Sequence, residues 1–276
     1  MLKKLFDLLL EAYWPAWRQT VAGLAAAGLL LMGAGAFWQQ WGLLPLGGLA
    51  VLAGAYHYAT ITWIAARLAR PDRVADAVAE MGGVSADSLV AWITPAWREG
   101  AAALATRLKE GRIIVVGIYH PQRMPSRALW RLREQTPLMP LRESDPRLEL
   151  VDGSADLLPW PDNSQSLLVF DEVLLELAEI HEQELLLQAA LRALQPGGRL
   201  IVIERVRRPA NRWILGVGES LRWPRHAVRR AQLAHLNLVI REERRINALL
   251  TAWRLDKPFN PPGQLALPLT RDPVKA

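Results

Sequence analysis

The chain has 276 residues, 51% hydrophobic and 22% charged, which suits one or two domains and excludes a disordered tail. It contains no cysteine, so disulfides, cysteine-held zinc, iron–sulfur clusters and a cysteine nucleophile are excluded. A net charge of +6 suits nucleic acid or an anionic membrane surface equally, and twelve Trp against four Phe and four Tyr directs attention to membrane–water interfaces.

Residues 1–18 open with Leu2, Leu5, Phe6, Leu9, Leu10 and Tyr13 at helical spacing, with Lys3, Lys4, Asp7 and Glu11 elsewhere on the wheel. This pattern predicts an amphipathic helix lying in a lipid interface, or an ordinary surface helix. From Gln19 to Ala66 there are 48 residues without Asp, Glu, Lys or Arg. A spanning helix needs about 20 apolar residues, so this stretch predicts a transmembrane α-hairpin over 19–66. Trp38 and Trp41 sit at its turn, and Trp14, Trp17 and Trp63 at its other ends, as an aromatic belt would. Lys3, Lys4 and Arg18 precede the pair and Arg67, Arg70 and Arg73 follow it, which predicts an inner-membrane, multi-pass protein with both termini and the soluble domain cytoplasmic. The alternative is a buried soluble hairpin. Gly23, Gly33, Gly47 and Gly54 offer small faces for close helix packing, and His57 is the lone titratable group in the second helix.

Residues 67–110 read as a helical connector, broken at Pro71, Gly82-Gly83 and Pro95. From Gly111 the pattern changes to alternating strands and helices, which predicts an α/β domain over 111–257 with a mostly parallel sheet. Arg112–Gly117, Leu148–Val151, Ser166–Phe170 and Arg199–Arg205 are the predicted parallel strands. Helices are predicted near 126–135, 179–194 and 225–236, and an antiparallel pair near 238–246 and 249–255 closes the domain. Residues 258–276 are Pro-rich and predict a flexible tail.

Two segments carry a family resemblance. Gly153-Ser-Ala-Asp-Leu-Leu-Pro-Trp-Pro-Asp-Asn-Ser164 resembles the post-strand motif of class I S-adenosylmethionine-dependent methyltransferases, nearest to the ubiquinone/menaquinone C-methyltransferase type. Leu194-Gln-Pro-Gly-Gly-Arg-Leu-Ile-Val-Ile-Glu204 resembles the same family's Pro-Gly-Gly turn and fifth strand. The resemblance covers roughly 111–257 and implies a Rossmann-like domain whose ligand lies at the carboxyl ends of the strands. It implies S-adenosylmethionine as cofactor, with Gly117, Gly153, Ser154, Ala155, Asp156, Phe170 and Asp171 in contact with it. His120, Asp171 and Glu172 are the candidate catalytic groups; the last two also read as a helix N-terminal acid pair.

If Arg112–Gly117 is the family's first strand, the glycine loop is degenerate. Only Gly117 remains, with Val115 in place of the acid and Tyr119 and Pro121 in place of the later glycines. Asp152 follows Gly117 by only 35 positions, which then leaves one strand–helix unit trimmed. Two functions follow: a membrane-anchored methyltransferase acting on a lipid-soluble or membrane-associated acceptor, or a catalytically inactive methyltransferase-like scaffold or assembly factor in a membrane complex. Between Arg205 and Arg245 there are eleven arginines against Glu219, Glu242 and Glu243, together with Trp213 and Trp223. That segment suits anionic lipid head groups; nucleic acid is the disfavoured rival beside a lipid bilayer anchor, and a membrane protein partner is a further expectation. No P-loop, zinc-protease or nucleophile-elbow motif is present.

Overall fold

The computed structural model describes residues 21–39, 41–68, 71–96, 99–135, 145–208, 223–247 and 249–259. The amphipathic helix expected over 1–18 and most of the tail lie outside these residues, as does 209–222 of the basic segment.

Two helices come first, α1 over 21–37 and α2 over Leu43–Leu68. They approach most closely at glycine: a Cβ on Gly28 would stand 2.7 Å from the Gly47 carbonyl oxygen. Much of their surface is exposed and apolar, including Leu30, Phe37, Trp41, Leu52 and Tyr56, each at least 70% exposed. Among the described residues, however, no helix is long and apolar enough to cross a membrane. That finding overturns the expected transmembrane hairpin, and with it the multi-pass inner-membrane localisation. The reason is dilution. Helix α2 mixes its leucines with Pro45, Gly47, Gly48, Gly54, Tyr56, His57, Tyr58, Thr60 and Thr62. Absence of charge is a weaker criterion than sustained apolarity.

The remaining elements build one sheet with helices on both faces. In chain order they are α3 (Pro71–Gly82), β1 (Leu89–Thr94), α4 (Glu99–Ala105), β2 (Arg112–Ile118), α5 (Arg127–Gln135), β3 (Leu148–Gly153) and β4 (Gln165–Asp171). Next come α6 (Val173–Glu176), α7 (Ile180–Ala193), β5 (Leu194–Arg205), α8 (His226–Ala234), β6 (Val239–Arg245) and β7 (Leu250–Asp256). The seven strands lie in the order β3-β2-β1-β4-β5-β7-β6. The first five are parallel, and β7 runs antiparallel to both β5 and β6.

Two sequence expectations are corrected here. Arg112–Gly117 is the second strand, not the first, and no strand–helix unit is trimmed. The first strand is Leu89-Val-Ala-Trp-Ile-Thr94, inside the stretch read as a helical connector, and five of its six residues are buried. It lies between β2 and β4, covered on both faces, so its sequence is a nearly continuous apolar run without the alternation that marks a half-exposed strand. Ala91 and Trp92 further dilute its β-branched signal.

Each face of the sheet has its own core. Val78 and Met81 of α3 and Leu104 of α4 pack with Trp92, Val115, Val169 and Ile201 on one face. Leu129 of α5, Leu186 and Leu187 of α7 and Leu233 of α8 pack with Ile93, Val116, Phe170 and Val202 on the other. The Pro196-Gly-Gly198 turn is drawn into the start of β5, with Gly197 at φ +77°, a conformation that suits glycine. Lys257 secures it: its backbone carbonyl accepts from Gly197 N–H at 2.8 Å, and its ammonium donates to the Leu191 and Leu194 carbonyls at 2.8 and 2.5 Å.

Candidate active site

From β1 the chain steps outward through β2 and β3, then returns to place β4 on the other flank of β1. The carboxyl ends of β1 and β4 therefore form the topological switch point, where open α/β sheets bind ligands. Thr94, Gly117 and Asp152 lie side by side at the ends of β1, β2 and β3. Asp171 ends β4 one residue beyond Phe170, which is in register with Ile93.

Asp171 is buried, and Trp92 of the neighbouring strand donates its indole N–H to one carboxylate oxygen at 3.3 Å. Thr94 Oγ1 donates to the Ala96 carbonyl at 2.5 Å and turns the chain sharply out of β1. Glu172 is left-handed, at φ 55° and ψ 27°, and its N–H donates to Ile203 O at 2.8 Å on β5. A non-glycine residue held there costs on the order of 1–2 kcal/mol, and such strain gathers at functional sites. Its carboxylate is not free. It pairs with Arg205 at the end of β5, and Arg205 also donates to Glu176 at 3.2 Å. Trp223 lies over that guanidinium, 5.4 Å from ring centroid to Cζ.

The ends of β1 and β2 are bridged from α5. Arg133 donates to the Pro95 carbonyl at 2.9 Å and lies over the Tyr119 ring at 4.3 Å. Burial pulls the Arg133 guanidinium below its usual range, while Tyr119 and Asp152 oppose that shift.

The structure distributes the candidate residues as follows. Gly117, Gly153, Phe170 and Asp171 stand at or next to strand ends along the carboxyl edge. A Cβ at Gly153 would strike the Val116 side chain, so this glycine permits close packing of β3 on β2. Ser154 accepts the Leu157 N–H at 3.2 Å and shapes a turn, and Ala155 is buried in the core. Arg123 holds Asp156 through both carboxylate oxygens at 2.9 and 2.8 Å and reaches Glu182 at 3.2 Å. His120 is exposed just past β2, in a turn where its carbonyl accepts the Met124 N–H at 2.8 Å. Sequence reasoning missed Thr94, Arg133, Glu176 and the pairing role of Arg205. The i, i+4 spacing of Glu172 and Glu176 was a readable hint of a shared partner; the cation that answers them comes from a distant strand.

Residues 100–202 match the family model described as a methyltransferase domain. No curated protein matches the chain. Among solved structures it is similar to an S-adenosylmethionine-dependent methyltransferase from Aquifex aeolicus at 12% identity and TM-score 0.47, covering 69% of this chain and 95% of that one. It is also similar to geranyl diphosphate C-methyltransferase from Streptomyces coelicolor A3(2), at 13% identity and TM-score 0.46, covering 66% and 74%. The [4+2]-cyclase SpnF is similar at 18% identity and TM-score 0.49, covering 68% and 82%. The family match makes residues 100–202 similar to a methyltransferase domain, which supports S-adenosylmethionine as the cofactor.

The groups near the switch point carry two carboxylates that could meet a cationic ligand. Asp171 is a buried carboxylate at the end of β4, and Asp152 is exposed at the end of β3. Tyr119 and Arg133 line the side between β1 and β2. In the sequence from Pro95 to Gly100 there is one glycine, Gly100, which lies in the first turn of α4. That glycine packs α4 onto the sheet: a Cβ there would stand 3.1 Å from Val74 and 3.2 Å from Trp92.

Proposed function

We propose that this chain is a methyltransferase whose acceptor is lipid-soluble or membrane-associated, such as a quinone precursor or a phospholipid head group. What supports the activity is a carboxylate, Asp171, fixed at the switch point of a sheet that matches a methyltransferase family. S-adenosylmethionine supplies an electrophilic methyl group on sulfonium. Asp171 would hold and orient its cationic end, since a buried carboxylate attracts positive charge more strongly than one in water. His120, exposed beside the end of β2, takes the acceptor's proton at an imidazole nitrogen. Glu172 is assigned the neighbouring structural task, because Arg205 occupies its carboxylate.

What supports a lipid-soluble acceptor is the surface of α1 and α2. It exposes Leu30, Phe37, Leu52 and Tyr56, an apolar patch suited to an apolar ligand.

Calorimetry of S-adenosylmethionine with the full chain in mild detergent tests the reading. Micromolar binding is expected, weakened about tenfold or more by Asp171→Asn, the loss of one charge-assisted contact. Methyl label from the cofactor should then enter the chloroform-soluble fraction when anionic phospholipid vesicles and quinone precursors are supplied. A folded sample that binds no cofactor at millimolar concentration sinks the methyltransferase reading and favours the inactive scaffold. Label confined to water-soluble products overturns the acceptor class.

A further inference from the structure

The helix that follows Asp171 lacks a cap of its own. Helix α6 is a single turn, and its N-cap residue, Glu172, makes no side-chain capping bond because its carboxylate turns to Arg205. The free amides at a helix start still need an acceptor. They find it across the sheet. Glu204 of β5, fully buried, accepts the Leu174 N–H at 2.9 Å and the Leu175 N–H at 3.3 Å through Oε1. Behind it, Oε2 lies 3.8 Å from the Arg229 guanidinium of α8, and Arg229 is itself held by Gln183 Oε1 of α7 at 2.8 Å. The adjacent residue, Arg205, grips Glu172 and Glu176 at the two ends of the same segment.

We propose that Glu204 is a positioning residue for the active site: from β5 it supplies the helix cap that Glu172 does not, and so fixes the 171–176 segment that presents Asp171 at the switch point. The proposal rests on the methyltransferase reading for its functional half and on geometry alone for its structural half. A carboxylate on a central strand is a rigid anchor, whereas a side chain on the loop itself would move with it. Glutamine keeps an acceptor oxygen in the same place; leucine keeps the volume and removes it.

The test uses the full chain in mild detergent, as wild type, Glu204→Gln and Glu204→Leu. Hydrogen exchange read on the peptide spanning 171–177 reports the cap without reference to any ligand. Glu204→Leu should lose about tenfold or more of the protection there, the effect of removing the shared acceptor of two amides, while β1 and β2 keep theirs. Glu204→Gln should restore most of it. Cofactor affinity should follow the same order, with leucine weakest and glutamine near wild type. Unchanged protection over 171–177 in Glu204→Leu overturns the proposal. So does an equal loss in Glu204→Gln, or a loss spread evenly over the sheet. If exchange behaves as expected but wild type binds no cofactor, the cap stands and the functional half falls with the methyltransferase reading.

Discussion

Glu204 also makes the stability of this fold depend on pH in a way that can be worked from its surroundings. Full burial pushes its carboxyl from 4.5 up to about 7, with Glu176 adding to the shift and Arg229 and the amides of Leu174 and Leu175 opposing it. The folded value lies above the unfolded one, so between them the native state holds the proton that the unfolded chain has lost. Stability must therefore fall as pH rises through this window. The associated stabilisation is complete below pH 4.5 and gone above about 7. At 1.36 kcal/mol per pH unit of separation, roughly 3 kcal/mol is at stake. Glu204→Gln removes the titration and keeps the side-chain shape. Urea unfolding of both proteins from pH 4.5 to 8 isolates it, since every other group is shared. The wild type should lose about 3 kcal/mol more than the variant across that range. Parallel curves would mean that Arg229 and the two amides hold the carboxylate ionised, and the burial argument would fail.

Other substitutions probe the same region by different physics. Arg205→Leu leaves Glu172 and Glu176 buried without their guanidinium, and thermal unfolding should show a loss of about 3–5 kcal/mol. Trp92→Phe removes the indole donor from Asp171 while keeping an aromatic ring; a destabilisation of about 1–3 kcal/mol is expected, with cofactor affinity reduced in calorimetry. Gly28→Leu forces α1 from α2, because even a Cβ there meets the Gly47 carbonyl and the Val51 side chain; proteolysis between 38 and 43 should accelerate, with the sheet domain's unfolding unchanged. An unaltered cleavage rate would refute that close approach.

Sequence by itself determined the class of this fold. The β-branched runs at Arg112–Ile118 and Arg199–Arg205, the Pro-Gly-Gly turn and the segment from Gly153 to Ser164 were enough for an α/β methyltransferase-like domain. Asp171 and Glu172 stood out because they end a clear strand. These signals are local: a strand's burial and a turn's chemistry are written in neighbouring residues. The first strand was hidden because a strand buried on both faces has no period, and only one glycine, Gly100, follows it closely in sequence. The N-terminal pair was misread for the related reason that missing charge was taken for sustained apolarity.

What only the tertiary structure decided is which group answers which. Trp92 meets Asp171 across 79 residues of chain, and Glu204 meets Leu174 across 30. Such pairs are set by strand order and register. Placing β4 beside β1 and β5 beside β4 brings Asp171, Glu172, Glu204 and Arg205 to one edge. Sequence periodicity carries no information about which strands become neighbours, because that choice is made by the packing of whole helices and strands around two cores. It is the packing, too, that turned Glu172 from a free catalytic candidate into a buried partner of Arg205, and made Glu204, unremarked in a strand, the anchor of the segment beside it.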